Sequence, residues 1–211
     1  YLACSAACNF PGAEAEKSPR PCLGAAGGGN RVDMGSPETS KFRAVLFDRD
    51  GTLVIDVPYN GNPALVTPVP GAKAVLDSLR AEGIATGVIS NQSGIARGFI
   101  TEAEVAEVNA RVEELLGPFD VWEVCPHSEQ DGCTCRKPRP GRVHSACRKL
   151  GIRESEAALI GDIGADVGAA EAAGATGVLV PTPVTRAEEV AAARLVAPDL
   201  AAAVGLVQGT P

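Results

Sequence analysis

Arg43-Ala-Val-Leu-Phe-Asp48-Arg-Asp50-Gly51-Thr52-Leu53 decides how this chain folds. A short apolar run ends in two carboxylates one residue apart, and Gly51 then lets the backbone turn. Such a run, bounded by a turn signal, reads as a buried strand of a parallel sheet. Ligands of open α/β sheets bind outside the carboxyl ends of these strands, so Asp48 and Asp50 stand where chemistry is expected. Residues i and i+2 of an extended strand point the same way. Two carboxylates held close together are costly unless a cation or a shared proton relieves them. Magnesium, a hard cation that takes oxygen ligands and accompanies phosphate, suits that role. A lone D-x-D is as readily a solvated strand end, so its partners must be sought along the chain.

Working outward, the same grammar repeats. Ile84–Ser90 reads as a second strand, ending in Ser90-Asn91-Gln92-Ser93-Gly94. A hydroxyl followed by polar and glycine residues can cradle a phosphate through Oγ–H and backbone N–H donors. Phe119–Val124 is a third strand, Ala157–Gly161 a fourth, ending in Asp162-Ile-Gly-Ala-Asp166, and Thr176–Val180 a fifth. Asp162 is placed to complete a magnesium site, and Asp166 to cap or support it. Between these runs lie helices. Pro70–Glu82 carries Val75, Leu76 and Leu79 on one face, and Thr101-Glu-Ala-Glu104 opens a helix to about Leu116 as a capping box. Arg142–Leu150 is stopped by Gly151, Val167–Ala173 follows Asp166, and the Ala-rich remainder makes one or two more. His144 reads as a packed or exposed residue and Cys147 as a core thiol.

Cys125-Pro-His127-Ser-Glu-Gln-Asp-Gly-Cys133-Thr-Cys135 carries a different signal. Three thiolates and one imidazole match a closed, tetrahedral structural zinc site, with Asp131-Gly132 turning the chain back. Iron–sulfur ligation usually calls for four thiolates. Arg136 and Lys137 follow at once, so anchoring Cys135 fixes where two cations point. Two cations beside two carboxylates and a hydroxyl make sense around a phosphate.

Composition sets the bounds. The chain has 211 residues, enough for one α/β core. With 45% hydrophobic and only 4% aromatic residues, that core must be built from Val, Leu, Ile and Ala. A net charge of -7 without a basic stripe argues against nucleic acid and anionic membrane as partners. No apolar run approaches a membrane span, and Tyr1–Phe10 lacks the pattern of a secretory signal. Seven cysteines, three of them crowded into one segment, read as metal binding in a reducing, cytoplasmic setting. Residues 1–40, rich in Ala, Gly, Pro and Ser, are expected to be a disordered or non-native extension, leaving 41–211 as the folded domain. Cys4, Cys8 and Cys22 lack a fourth ligand there. Met34, the one methionine, is the expected native start; Met-Gly-x-x-x-Thr39 then matches a myristoylation pattern by accident of length.

The ordered set Asp48-x-Asp50-Gly-Thr, Ser90-Asn-Gln-Ser-Gly, Lys137-Pro and Gly161-Asp162-x-x-x-Asp166 resembles the four motifs of the haloacid dehalogenase-like phosphatase superfamily. It spans residues 43 to about 182. The zinc loop and Asn91–Gly98 are similar to the heptose-bisphosphate and histidinol-phosphate phosphatases within it. The resemblance implies a Rossmann-like, doubly wound, mainly parallel sheet in three α/β/α layers with no separate cap domain. It implies a magnesium-dependent phosphatase working through an aspartyl-phosphate. Asp48 would be the nucleophile, Asp50 the acid and base, and Ser90 and Lys137 the groups that neutralise the phosphoryl charge. Magnesium would be held by Asp48, the Asp50 carbonyl and Asp162. Arg136, Asp56, Tyr59, Asn91, Gln92 and Ser93 would contact the substrate, a small phosphorylated metabolite such as a sugar bisphosphate, in a monomer. Two positions depart from the pattern: Ile163 stands where these phosphatases often carry Lys, and Ser90 where they often carry Thr. A non-catalytic, zinc-stabilised binding domain is the competing class, and the presence of both Asp48 and Asp50 speaks against it.

Overall fold

The computed structural model describes residues 42–209, with side chains. The expected N-terminal extension, Met34, and Cys4, Cys8 and Cys22 lie outside the described residues. Five parallel strands form one sheet in the order β3-β2-β1-β4-β5: β1 (Ala44–Phe47), β2 (Ala85–Asn91), β3 (Val121–Cys125), β4 (Ala157–Gly161) and β5 (Thr176–Leu179). The chain winds outward from β1 to β3, then returns to the other side of β1 to lay down β4 and β5. β1 is therefore where the winding reverses, and the crevice there is the expected ligand position. In register, Phe47 lies beside Val88 on one side and Ile160 on the other. The Asp48 N–H carries the ladder one step further, donating to the Ile160 carbonyl at 2.9 Å.

Helices α1 (Ala72–Ala81), α2 (Glu102–Leu116) and α6 (Leu200–Gln208) cover one face; α3 (Gly141–Leu150) and α4 (Gly164–Ala173) cover the other, and the short α5 (Ala187–Ala192) follows β5. Alternation along each strand divides the core between them. Val45, Phe47, Val88 and Ile160 pack with Leu76, Val108, Val112 and Val204. Leu46, Ile89 and Leu159 pack with Val143, Ala146, Ala169 and Ala170. Each fully buried Leu or Ile side chain contributes roughly 1.5–3 kcal/mol of transfer free energy. α2 starts on the expected capping box: Glu104 N donates to Thr101 Oγ1 at 3.2 Å and Thr101 N to Glu104 Oε2 at 2.7 Å. Its Val105, Val108, Val112 and Leu116 make the buried stripe. α3 ends at Gly151, whose φ of +65° closes the helix in the left-handed region.

Three of the element ends moved for physical reasons. α4 begins at Gly164 rather than Val167, because the Asp166 carboxylate reaches back to the Ile163 N–H and caps the first turn. β2 and β3 each run one residue past the expected end, to Asn91 and Cys125, because those two residues pair with each other. Between β1 and α1 the chain holds only a 3-10 turn, Pro63–Leu65, and no separate cap domain stands among the described residues. None of the described helices is long and apolar enough to cross a membrane.

Candidate active site

Asp48 leaves the end of β1 and is buried. Its Oδ1 accepts from Lys137 Nζ at 2.5 Å; the same ammonium donates to the Ile89 carbonyl at 2.7 Å and lies 2.7 Å from Asp166 Oδ1. Lys137 thus spans β1, β2 and α4 with its charge fully enclosed. Burial alone would strip that charge, but Asp166 and Asp48 more than offset it and hold the ammonium ionised. Burial likewise pushes Asp48 up to about 8, with Lys137 opposing and Asp166 and Asp50 adding to the shift. Asp162, at the end of β4, is pushed up to about 7, first by burial and then by Asp166.

Carboxylate oxygens of Asp48, Asp162 and Asp166 lie within 4.8 Å of one another, all three residues buried. Asp166 has both oxygens engaged, one with Lys137 and one with the Ile163 N–H at 3.2 Å. Asp48 and Asp162 are then the carboxylates left for a hard cation, and the donor chemistry fits one. Gly51 is required beside them. Its φ is +81°, and a Cβ there would drive into the Asp162 carboxylate. Behind β4, Thr185 Oγ1 donates to the Asp162 carbonyl at 2.6 Å and fixes the main chain at that residue.

The Asp50 side chain stands apart from this cluster. Arg49 Nε lies 3.1 Å from each Asp50 oxygen and Arg49 Nη2 lies 3.0 Å from Oδ2. Gln92 Nε2 donates to the same Oδ2 at 2.8 Å and to Ser90 Oγ at 2.7 Å. Gln92 therefore bridges the expected acid and base, Asp50, and the expected phosphate-facing hydroxyl, Ser90. The β1 extension has already turned at Arg49, whose carbonyl accepts from the N–H groups of Leu53 and Val54. The turn, rather than strand alternation alone, sets the Asp50 carboxylate. Arg49 itself is 1% exposed and donates from Nη1 to Asn109 Oδ1 of α2 at 2.6 Å. Neither Arg49 nor Asn109 was among the residues expected from sequence. An arginine between two aspartates at a strand end reads as solvated, and only the packing of α2 encloses it.

Of the remaining expected residues, Asn91 spends its amide on the Lys137 backbone, and Ser93 lines a small pocket of about 150 Å³ with Asp50, Asp56, Tyr59, Asn91 and Gln92. Asp56 is held above its ordinary range by partial burial and by Asp50. Tyr59 adopts φ +51°, stacks edge-on to Phe99 at 4.8 Å between ring centres, and accepts from Arg97 Nη1 at 3.1 Å. Arg136 reaches toward Glu129 at 3.6 Å. His144 lies on the outer side of α3, its Nδ1 2.8 Å from Glu154 Oε1, away from the site.

The cysteine loop brings its three thiols and the imidazole together. Cys125 Sγ lies 3.6 Å from His127 Nδ1, 3.8 Å from Cys133 Sγ and 3.3 Å from Cys135 Sγ. His127 Nδ1 lies 3.3 Å from Cys135 Sγ. Tetrahedral zinc, with bonds of about 2.3 Å to sulfur and about 2.0–2.1 Å to nitrogen, sets its ligand atoms roughly 3.5–3.8 Å apart. The four ligand atoms all lie within 4.8 Å of one another, a grouping that could hold such an ion. Burial pushes Cys125 up to about 12, whereas at Cys133 the backbone N–H groups of Cys135 and Arg136 outweigh desolvation and hold the thiol at about 6. Arg139 Nη1 braces the loop from outside by donating to the Cys133 carbonyl.

A reversing parallel sheet with a buried Asp-Lys pair at its switch point, a hydroxyl at the end of the neighbouring strand and a second carboxylate after β4 defines a haloacid dehalogenase-like phosphatase, and the chain belongs to that family. The HAD-hydrolase-like family profile matches residues 134–203. More narrowly, the chain is 34% identical over 143 residues to the D-glycero-beta-D-manno-heptose-1,7-bisphosphate 7-phosphatase of Pseudomonas aeruginosa, covering 65% of this chain and 80% of that one. The enzyme of the same name from Neisseria meningitidis is 31% identical over 146 residues, covering 67% and 78%. The crystal structure of D,D-heptose 1,7-bisphosphate phosphatase from B. bronchiseptica, complexed with magnesium and phosphate, superposes with a TM-score of 0.71 at 27% identity. It covers 81% of this chain and 100% of that one.

Proposed function

We propose that this chain is a magnesium-dependent phosphomonoester hydrolase that removes the 7-phosphate of D-glycero-D-manno-heptose 1,7-bisphosphate, through a single catalytic domain from residue 41 onward. The observation that carries the chemistry is the 2.5 Å contact between Lys137 Nζ and Asp48 Oδ1 inside a closed site. The ammonium stands directly against the carboxylate and favours its anionic form, opposing the burial that favours the acid. The sugar is supported by the relatives, whose names specify it.

In the proposed reaction an Asp48 oxygen attacks phosphorus in line, and the bond from phosphorus to the sugar oxygen breaks. Asp50 gives that oxygen its proton. Asp50 then takes a proton from the water that attacks the aspartyl-phosphate, which returns Asp48 and releases phosphate. Ser90 Oγ–H would donate to a phosphoryl oxygen, and the Lys137 ammonium, its three donors on Asp48, Ile89 and Asp166, would stabilise the phosphoryl charge as a nearby cation, the part of such a reaction that the protein can most influence. Magnesium, held by Asp48, the Asp50 carbonyl and Asp162, would supply further neutralisation of the phosphoryl group. Zinc in the Cys125–Cys135 loop would be structural, since its four protein ligands leave no open position. Free thiols and a thiolate zinc loop suit a reducing compartment such as the cytoplasm.

Phosphate release with magnesium should be measured across both anomers of heptose 1,7-bisphosphate, histidinol phosphate, fructose 1,6-bisphosphate and an aryl phosphate. Strong preference for a heptose bisphosphate is expected. Turnover confined to another phosphate would keep the chemistry and discard the sugar, and Ile163 is the position that would then be held responsible.

A further inference from the structure

Asp50 is gripped unevenly. Its Oδ2 takes Arg49 Nη2 at 3.0 Å, Gln92 Nε2 at 2.8 Å and a share of Arg49 Nε at 3.1 Å. Its Oδ1 has only the other share of Nε, also at 3.1 Å. Arg49 is in turn tied to α2 through Asn109 Oδ1 at 2.6 Å; it borders the small pocket beside Asp50, but at 1% exposed its donors are turned to Asp50 and Asn109. A buried guanidinium is costly unless its donors are satisfied and its charge is paired, and here both needs are met by one acid and one amide. The planar fork of arginine fixes the carboxylate plane in a way that a lysine ammonium could not.

We propose that Arg49, anchored by Asn109, is a positioning residue that sets the Asp50 carboxylate so that Oδ1 faces the leaving oxygen. The proposal rests on the reading of Asp50 as the acid and base. In the first half-reaction the phosphorus–oxygen bond to the sugar breaks while the bond to Asp48 forms, and the proton on Asp50 passes to the departing oxygen. A rotated or displaced Asp50 still leaves the nucleophile, Ser90 and Lys137 in place. What is lost is help for a leaving group that needs a proton.

The test is the dependence of kcat/KM on the leaving group, since this constant reports the steps up to release of the alcohol. Wild type, Arg49→Met, Arg49→Lys and Asn109→Ala are compared on an alkyl or sugar phosphate and on dinitrophenyl phosphate, whose phenolate departs without a proton. The ratio of kcat/KM for the alkyl ester over the dinitrophenyl ester should fall on the order of 10²-fold in Arg49→Met, the lower end of what general acid catalysis contributes. Asn109→Ala should shift it in the same direction by less, and Arg49→Lys should fail to restore it. Should Arg49→Met not fold, the half-exposed Asn109→Ala carries the comparison alone. A uniform loss on both esters, leaving the ratio unchanged, would overturn the positioning role and make Arg49 a structural ion. Wild type inactive on every monoester would instead overturn the acid–base reading beneath it, and the proposal with it.

Discussion

The side-chain amide of Asn91 closes a ring of two hydrogen bonds on the main chain of Lys137: Lys137 N donates to Asn91 Oδ1 at 3.1 Å, and Asn91 Nδ2 donates to the Lys137 carbonyl at 3.2 Å. The end of β2 thereby fixes the residue whose ammonium reaches Asp48. Asn91→Ala leaves both backbone groups without these partners, at a cost of about 1 kcal/mol for each bond. The larger effect is expected in turnover, because a small misplacement of a charge-stabilising group can cost about 10²-fold. Steady-state kinetics should show kcat falling while KM changes little. An unchanged kcat would mean that Lys137 is positioned by Asp48 and Asp166 alone.

The cysteine loop acts on the same residue from the other direction. Arg136 and Lys137 follow Cys135 directly, so releasing Cys135 releases them. Metal analysis is expected to find about one zinc per chain. Removing it with a chelator, or Cys135→Ser, should lower the thermal midpoint and turnover together. A zinc-free protein with an unchanged midpoint and full activity would show that the loop holds itself.

Behind the site, Glu123 of β3 is a buried carboxylate with Lys149 at 2.9 Å and Arg142 at 3.0 Å. Burial works to raise its pKa, but hydrogen bonds from Lys149, Ser145 and Arg142 prevail and hold it below its ordinary value of 4.5. The unfolded chain therefore binds the proton more readily. The stability from this group is present above 4.5 and is lost as pH falls through the lower folded value. Glu123→Gln should cost about 1–3 kcal/mol near neutral pH and should flatten the acid limb of stability measured by denaturant titration. A variant with the same acid limb as wild type would remove Glu123 from that account.

Much of this arrangement is legible because Asp48, Ser90 and Asp162 stand at the ends of strands, and strands announce themselves. Ala157–Gly161 is β4 residue for residue, and Asp162 follows it beside β1, where the winding reverses. Asp166 reads from sequence as a cap or support, and in the fold one oxygen caps α4 while the other meets Lys137. What escaped the reading depends on contacts distant in sequence. Arg49, buried in the fold, finds a partner in Asn109, sixty positions away. Asn91 and Gln92 read as phosphate-loop residues, while in the fold their amides join Lys137, Asp50 and Ser90 to one another. Periodicity carries no information on such pairings, since an amide has the same signature whether it faces solvent, substrate or a neighbouring strand.

The central claim is that Asp48 carries the phosphoryl group between substrate and water. The direct measurement is rapid acid quenching during turnover, followed by mass spectrometry of the peptide that contains Asp48. A gain equal to one phosphoryl group on Asp48, absent in Asp48→Asn, which should fold normally and show no turnover, is the expected result. Turnover retained in Asp48→Asn, or a phosphoryl group found on another residue, would contradict it.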